Sequence, residues 1–328
     1  MPVLSEEQIV ALLNLPGVGP KTASAVVDLS ERNGGSPGDL LAISHYARSA
    51  GIRMPEVTLN AVSAALEEAK RALDSLMSFG GAIVSFHSPT FPPLLRLIPN
   101  PPLLLFFRGN YRTLIERPTV AVVGTRDPSN YGVKWGRRIA EVLGEAGFAI
   151  VSGLAEGCDT AAHLGALDAS APTVAFLAHG FGRVYPRSNA ALAERIVAEG
   201  GCLASEYAPG MPPRRSSFVE RDRLQSGASR GIVVVETDIE GGTMHTVGFA
   251  RQQNRLIAAL SHSPGMAGFP KSRGNQRLIS ERVAMPIGTK EEVDLLIQRL
   301  REFWPVQEVG PFSSPKKRPR GDQLQFLP

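Results

Sequence analysis

Cysteine is nearly absent. The chain has two, Cys158 and Cys202, and neither has a companion at disulfide-framework or metal-ligand spacing, so both are expected as buried, reduced thiols. Long apolar runs are missing too. The longest, around Pro101–Phe107, is far too short to cross a bilayer, and residues 1–15 lack the basic start and apolar stretch of a signal peptide. A cytoplasmic protein with no membrane partner is expected. No HExxH, no Ser-His-Asp order and no Cys/His cluster supplies a nucleophile or metal site, so no metal, no cofactor and no catalytic residue are expected. Net charge is also small. The formal +4 equals the four cations Lys316, Lys317, Arg318 and Arg320 near the C-terminus, leaving the rest formally neutral. A nucleic-acid surface on the folded part must therefore come from local clustering rather than overall charge.

What is present is a soluble, globular composition over 328 residues, 43% hydrophobic and 20% charged, enough for two or three domains. The centre of the chain reads strand, glycine turn, helix, twice over. Val120–Val123 is a β-branched run of the kind buried on both faces of a parallel sheet, Gly124-Thr125-Arg126 turns the chain, and residues 133–146 carry apolar side chains at helical spacing. Phe148–Val151 repeats the strand, Ser152-Gly153 the turn, and a second helix is expected from about Asp159. Two such turns at the carboxyl ends of neighbouring parallel strands make a crevice of backbone N–H groups that suits phosphate, with Arg126 at hand. Each turn alone is also explained by glycine letting helix and strand pack closely. Later strands are expected over 173–177, 202–205, 232–235 and 256–259, with helices near 188–199 and 243–253. That alternation predicts an α/β fold with an extended Rossmann-like, mostly parallel sheet.

Residues 1–78 predict a small all-helical domain, with Ser5 as the N-cap of a first helix. Leu15-Pro16-Gly17-Val18-Gly19-Pro20-Lys21 then joins two helices and resembles a helix-hairpin-helix DNA-binding motif. Gly17 and Gly19 let the backbone approach a phosphate beside Val18, and Lys21 adds a point charge. An ordinary turn between two helices is the alternative. Residues 33–38 read as a loop, and residues 57–79 as a helix burying Leu59, Val62, Leu66, Ala69, Leu73 and Leu76. Residues 79–300 form the expected core domain, and 301–328 a basic tail expected to be disordered.

From Ala82 onward many motifs occur in a familiar order. They include Phe91-Pro92, Val123-Gly124-Thr125-Arg126 with Ser129, Tyr131 and Gly132, Ser152–His163, Gly180–Pro186 with Asn189, Gly201–Tyr207, Phe218–Arg223, Val233–Glu236 with Gly241–Thr246, and Gly274–Ile279. Over roughly 80–290 this pattern resembles the DNA-processing protein A (DprA/Smf) family. Cys158 replaces an aliphatic residue of the family pattern, and Asp222 stands where the family has Asn. The resemblance implies a binding protein rather than an enzyme. It would hold and protect incoming single-stranded DNA in natural transformation and help load RecA as a homodimer.

On that reading Gly124, Thr125, Arg126, Ser152, Gly153, Gly157, Phe218, Arg221, Arg223, Gly241, Gly242 and Thr243 line the nucleic-acid groove. Arginines neutralise phosphates and Phe218 stacks on a base. A solvated loop with a core phenylalanine is the alternative at 214–223. An Asp222 carboxylate facing a phosphate would repel it; paired with Arg221 or Arg223 it would orient that guanidinium. Asp159 and His163 read as structural. Two other functions remain open. One is a nucleotide phosphoribohydrolase of the lysine-decarboxylase-like fold, although Glu240-Gly241-Gly242-Thr243 lacks the Gly-Thr pair and following Glu of that motif. The other is an assembly protein acting by protein contacts.

Overall fold

The computed structural model describes residues 4–32, 39–262 and 269–303. The expected loop at 33–38 and the tail from residue 304 lie outside the described residues. Nine strands form one sheet: β1 Gly81–Ser85, β2 Leu104–Gly109, β3 Thr119–Val123, β4 Ala149–Ser152, β5 Thr173–Leu177, β6 Cys202–Ser205, β7 Gly231–Val234, β8 Leu256–Leu260 and β9 Met285–Ile287. Four helices precede the sheet: α1 Glu6–Asn14, α2 Pro20–Arg32, α3 Leu40–Ser49 and α4 Leu59–Ser78. Short α5 Pro93–Arg96 and α6 Thr113–Glu116 flank β2. The rest are α7 Asn130–Glu145, α8 Cys158–Asp168, α9 Ala190–Ala198, α10 Arg215–Gly227, α11 Thr243–Gln252, α12 Arg273–Ser280 and α13 Lys290–Glu302.

The order β1-β2-β6-β5-β4-β3-β7-β8-β9 is parallel from β6 to β9 and antiparallel at the β1/β2 and β2/β6 pairs. Strands β3 to β7 are buried at every position, as continuous Val/Ile/Ala runs covered by helices on both faces should be. The sheet is thus the mostly parallel α/β sheet expected. The chain leaves β3 toward β4 on one side, while β7 returns on the other, so the strand order reverses beside β3. In open α/β sheets ligands gather outside the carboxyl ends at such a point.

Helices α7 and α8 cross closely because Gly165 has no side chain; a Cβ there would collide with the Arg137 carbonyl. Ser129 caps α7 through Gly132 N, and Ser5 caps α1 in a reciprocal box with Gln8. The N-terminal helices share one apolar cluster with the sheet, running from Leu12 and Leu76 to Phe106 and Leu203. His87, just after β1, lies 2.7 Å from Glu31 and 3.6 Å from Asp28 of α2.

Three expectations change. Leu59 is 65% exposed rather than core, because it is the first residue of α4, where Thr58 caps the helix. Residues 215–227, for which no helix was expected, form one, with Ser217, Arg221 and Leu224 buried. The 300/301 boundary falls inside α13, which continues to Glu302.

Candidate nucleic-acid interface

The turns after β3, β4 and β5 come together beneath the N-terminal half of α10. They enclose a small pocket of about 50 Å³ lined by Arg126, Gly153, Ala155, Glu156, Ala178, Tyr185, Pro186, Phe218 and Arg221. Arg126 leaves the β3 turn exposed to solvent, its guanidinium carbon 4.9 Å from the centre of the Phe218 ring. Tyr185 also packs against Phe218, ring centres 5.6 Å apart and tilted by 58°, and is 49% exposed. A cation and two aromatic rings therefore share one solvent-facing mouth. Such a set neutralises a phosphate and stacks an unpaired base.

The floor is built from buried charge. Arg221, 4% exposed, donates to the Phe176 carbonyl at 3.3 Å and lies 3.8 Å from Asp159 Oδ2. Its Nε is 3.4 Å from Asp222 Oδ1. Asp159 Oδ2 accepts from Gly153 N at 3.1 Å and from Ala155 N at 3.3 Å. Burial raises the Asp159 carboxyl above its ordinary value, against Arg221. His163, fully buried on the same helix, meets Thr173 Oγ1 at 2.7 Å and is pushed down by burial to about 3, so it is neutral. Asp159 thus lies in the first turn of α8, and His163 is a packed ring.

The backbone cradle expected for phosphate is corrected here. The N–H of Gly153 serves Asp159, and Thr125 N donates to the Glu236 carbonyl at 2.8 Å. The Ser152 hydroxyl is buried and donates to the Val122 carbonyl at 2.8 Å. In effect the nest of N–H groups in the second turn already holds an anion, the protein's own carboxylate. Glycines 124, 153 and 157 have steric reasons instead. A Cβ at Gly124 would meet the Cys158 sulfur, one at Gly153 the Arg221 guanidinium, and one at Gly157 the Arg126 backbone. Gly157 also has φ +78°, a conformation that favours glycine.

Arg223 is corrected as well. Its Nη2 contacts both oxygens of Glu206, at 2.6 and 2.5 Å, so its charge is committed to a half-buried carboxylate. Gly241, Gly242 and Thr243, at the start of α11, lie outside the pocket lining, and Thr243 is buried. Of the twelve groove residues expected, the pocket brings together Arg126, Gly153, Phe218 and Arg221. It adds Tyr185, whose place in the Gly180–Pro186 run was visible in the sequence although its role was not.

The hairpin between α1 and α2 presents Gly17, Gly19 and Lys21 to solvent, with Gly17 at φ +77°. Val18 is corrected from a phosphate contact: its side chain is buried and its N–H donates to the Leu15 carbonyl at 3.1 Å. Among the described residues no three His, Cys, Asp or Glu side chains are placed to hold a metal ion, and no helix is long and apolar enough to cross a membrane.

Comparison with known proteins sets this geometry in a family. A profile for DNA recombination-mediator protein A matches residues 82–298. Protein Smf of Escherichia coli is 35% identical over 236 residues, spanning 72% of this chain and 62% of its own. The chain covers about half to two-thirds of the length of such curated relatives. DNA processing protein A of Streptococcus pneumoniae superposes with a TM-score of 0.74 at 29% identity, over 89% of this chain and 97% of its own. DNA processing protein A of Helicobacter pylori, described for its single-stranded DNA binding mode, superposes with a TM-score of 0.59 at 25% identity, over 68% of this chain and 96% of its own.

Proposed function

The chain belongs to the DNA recombination-mediator protein A family, and from that premise we propose that it is a cytoplasmic protein that binds single-stranded DNA in the Arg126–Phe218–Tyr185 pocket. Its physiological role on this reading is to protect incoming strands in natural transformation and help load RecA, working as a homodimer. The observation that carries the reading is an exposed guanidinium held over one aromatic ring, with a second ring beside it.

Arg126 takes a phosphate oxygen while Phe218 and Tyr185 take the face of an adjacent base. Duplex DNA hides base faces in its stack, so this arrangement prefers unpaired strands. Exposed Arg214 and Arg215 at the start of α10 extend the positive track, whereas Arg221 and Arg223 hold the wall in shape. Residues 1–78 act as a helix-hairpin-helix unit that adds a sequence-independent backbone contact through Lys21 and the Gly17 and Gly19 main chain. Binding needs no nucleophile, and the proposed activity includes no chemistry on the DNA. Gly241–Thr243, on which a hydrolase reading depends, stand outside the pocket.

The test is fluorescence anisotropy with labelled oligo-dT across salt concentration, with duplex as competitor. Tight, salt-sensitive binding that duplex displaces poorly is expected; equal competition by duplex overturns the proposed preference. Sedimentation of the full chain tests the homodimer, and RecA filament formation on strands pre-coated with single-strand-binding protein tests loading.

A further inference from the structure

Asp222 is the unexpected group at this site. It lies one turn beyond Phe218 on α10, largely buried, with a side-chain exposure of 16%. Charged groups face it from four directions. Arg221 is its neighbour on α10, Arg126 comes from the β3–α7 turn, Asp159 from α8, and His245 from α11. The contact with Arg221 is a single long one, 3.4 Å, and Arg221 Nε has no hydrogen-bond partner among the described residues. Two carboxylates thus share the guanidinium of Arg221, which lines the pocket. With both ionised this cluster carries a surplus negative charge within electrostatic reach of Arg126.

We propose that Asp222 is a positioning residue that restrains the pocket's affinity for nucleic-acid phosphate and couples strand binding to uptake of one proton. The inference rests on the single-stranded DNA reading. Ionised, the Asp222 carboxylate draws on the positive potential of Arg221 and Arg126 and repels an arriving phosphodiester. Protonated, it leaves the Arg126 charge to the ligand, while Arg221 stays on Asp159 and the side chain keeps its place in the wall.

The environment favours such an exchange near neutral pH. Burial raises the carboxyl most, Asp159 adds to the rise, and Arg221 opposes it, leaving the group at about 6. A bound phosphate adds another negative charge and raises it further. The bound state therefore holds more protons than the free state above that value, and affinity rises as pH falls. One coupled site limits the slope to about tenfold per pH unit.

The experiment is oligo-dT binding by the full chain at fixed ionic strength from about pH 8 to about pH 5.5, for wild type, Asp222→Asn and His245→Gln. Thymine does not titrate in this window. Wild type should tighten by a factor on the order of ten across it. Asp222→Asn, which keeps shape without charge, should bind at pH 8 about as tightly as wild type does at pH 5.5, with a flat profile. His245→Gln should keep the wild-type slope. An Asp222→Asn profile that parallels wild type, or a slope abolished by His245→Gln instead, overturns the proposal while leaving strand binding intact. No binding by wild type at any pH overturns the strand-binding reading and this inference with it.

Discussion

Replacing Arg126 by alanine tests the proposed pocket most sharply, because the expected change has two independent parts. Arg126 is exposed and stacked on Phe218 at 4.9 Å, not paired to a carboxylate within ion-pair distance among the described residues. Its removal should therefore leave the fold intact, with thermal stability changed by about 0.5 kcal/mol or less. For binding, the loss is one charge-assisted contact to phosphate, about 1.5–3 kcal/mol. That amounts to a weakening on the order of ten- to a hundred-fold at low salt. The second part is the salt dependence. One fewer neutralised phosphate on a single strand should flatten the slope of log affinity against log salt by about 0.7. Arg126→Lys separates the parts: it should keep the salt slope while losing part of the affinity, because an ammonium lacks the flat guanidinium face. Anisotropy titrations over a salt series measure both. A weakened Arg126→Ala with an unchanged slope would mean that the side chain shapes the turn rather than meets a phosphate, and would refute the assignment.

Phe218→Ala and Tyr185→Ala should each weaken oligo-dT binding by about 1–3 kcal/mol without altering the salt slope, since stacking releases no counterions; unchanged affinity in both would remove the stacking platform. Arg223→Ala should lower stability by about 1–3 kcal/mol in denaturant unfolding, because the half-buried Glu206 would be left unpaired. Its salt slope should match wild type, and a flattened one would return Arg223 to the strand-binding surface. Asp222 gives a pH-dependent stability of defined sign. Its carboxyl sits at about 6 in the folded chain against an ordinary 3.8, so the folded state holds the proton more tightly and stability falls as pH rises from about 4 to about 6. Asp222→Asn should therefore unfold later than wild type at pH 8, by up to about 3 kcal/mol, and match it near pH 4; a stability difference that does not vary with pH would refute the shift.

The fold was legible where the signal is local and the site where it is not only in part. Buried parallel strands announce themselves as short apolar runs, and Val120–Val123, Thr173–Leu177 and Cys202–Ser205 appear within a residue of their expected ends. Helix α10 escaped because Arg-Ser-Ser-Phe-Val-Glu-Arg-Asp-Arg has little apolar periodicity. Its inward face carries buried Ser217, Arg221 and Gln225, and Arg221 meets the Phe176 carbonyl and Asp159, partners that local spacing cannot reveal. The same limit sorts the arginines. Arg126, Arg221 and Arg223 look equivalent as phosphate ligands in a linear chain. What separates them is a partner distant in sequence: Glu206 for Arg223, Asp159 for Arg221, and an aromatic ring for Arg126. A guanidinium already satisfied by a buried carboxylate has little charge to offer a ligand, whereas one resting on a ring keeps its donors directed to solvent. The glycine turns divide in the same way. Their spacing marks a place where backbone N–H groups converge, and only Asp159, folded back onto Gly153 and Ala155, decides that the anion resident there belongs to the protein. On the proposed reading, strand recognition falls to the side chains around the mouth, which is why the substitutions that discriminate are at Arg126, Phe218 and Tyr185 rather than at the glycines.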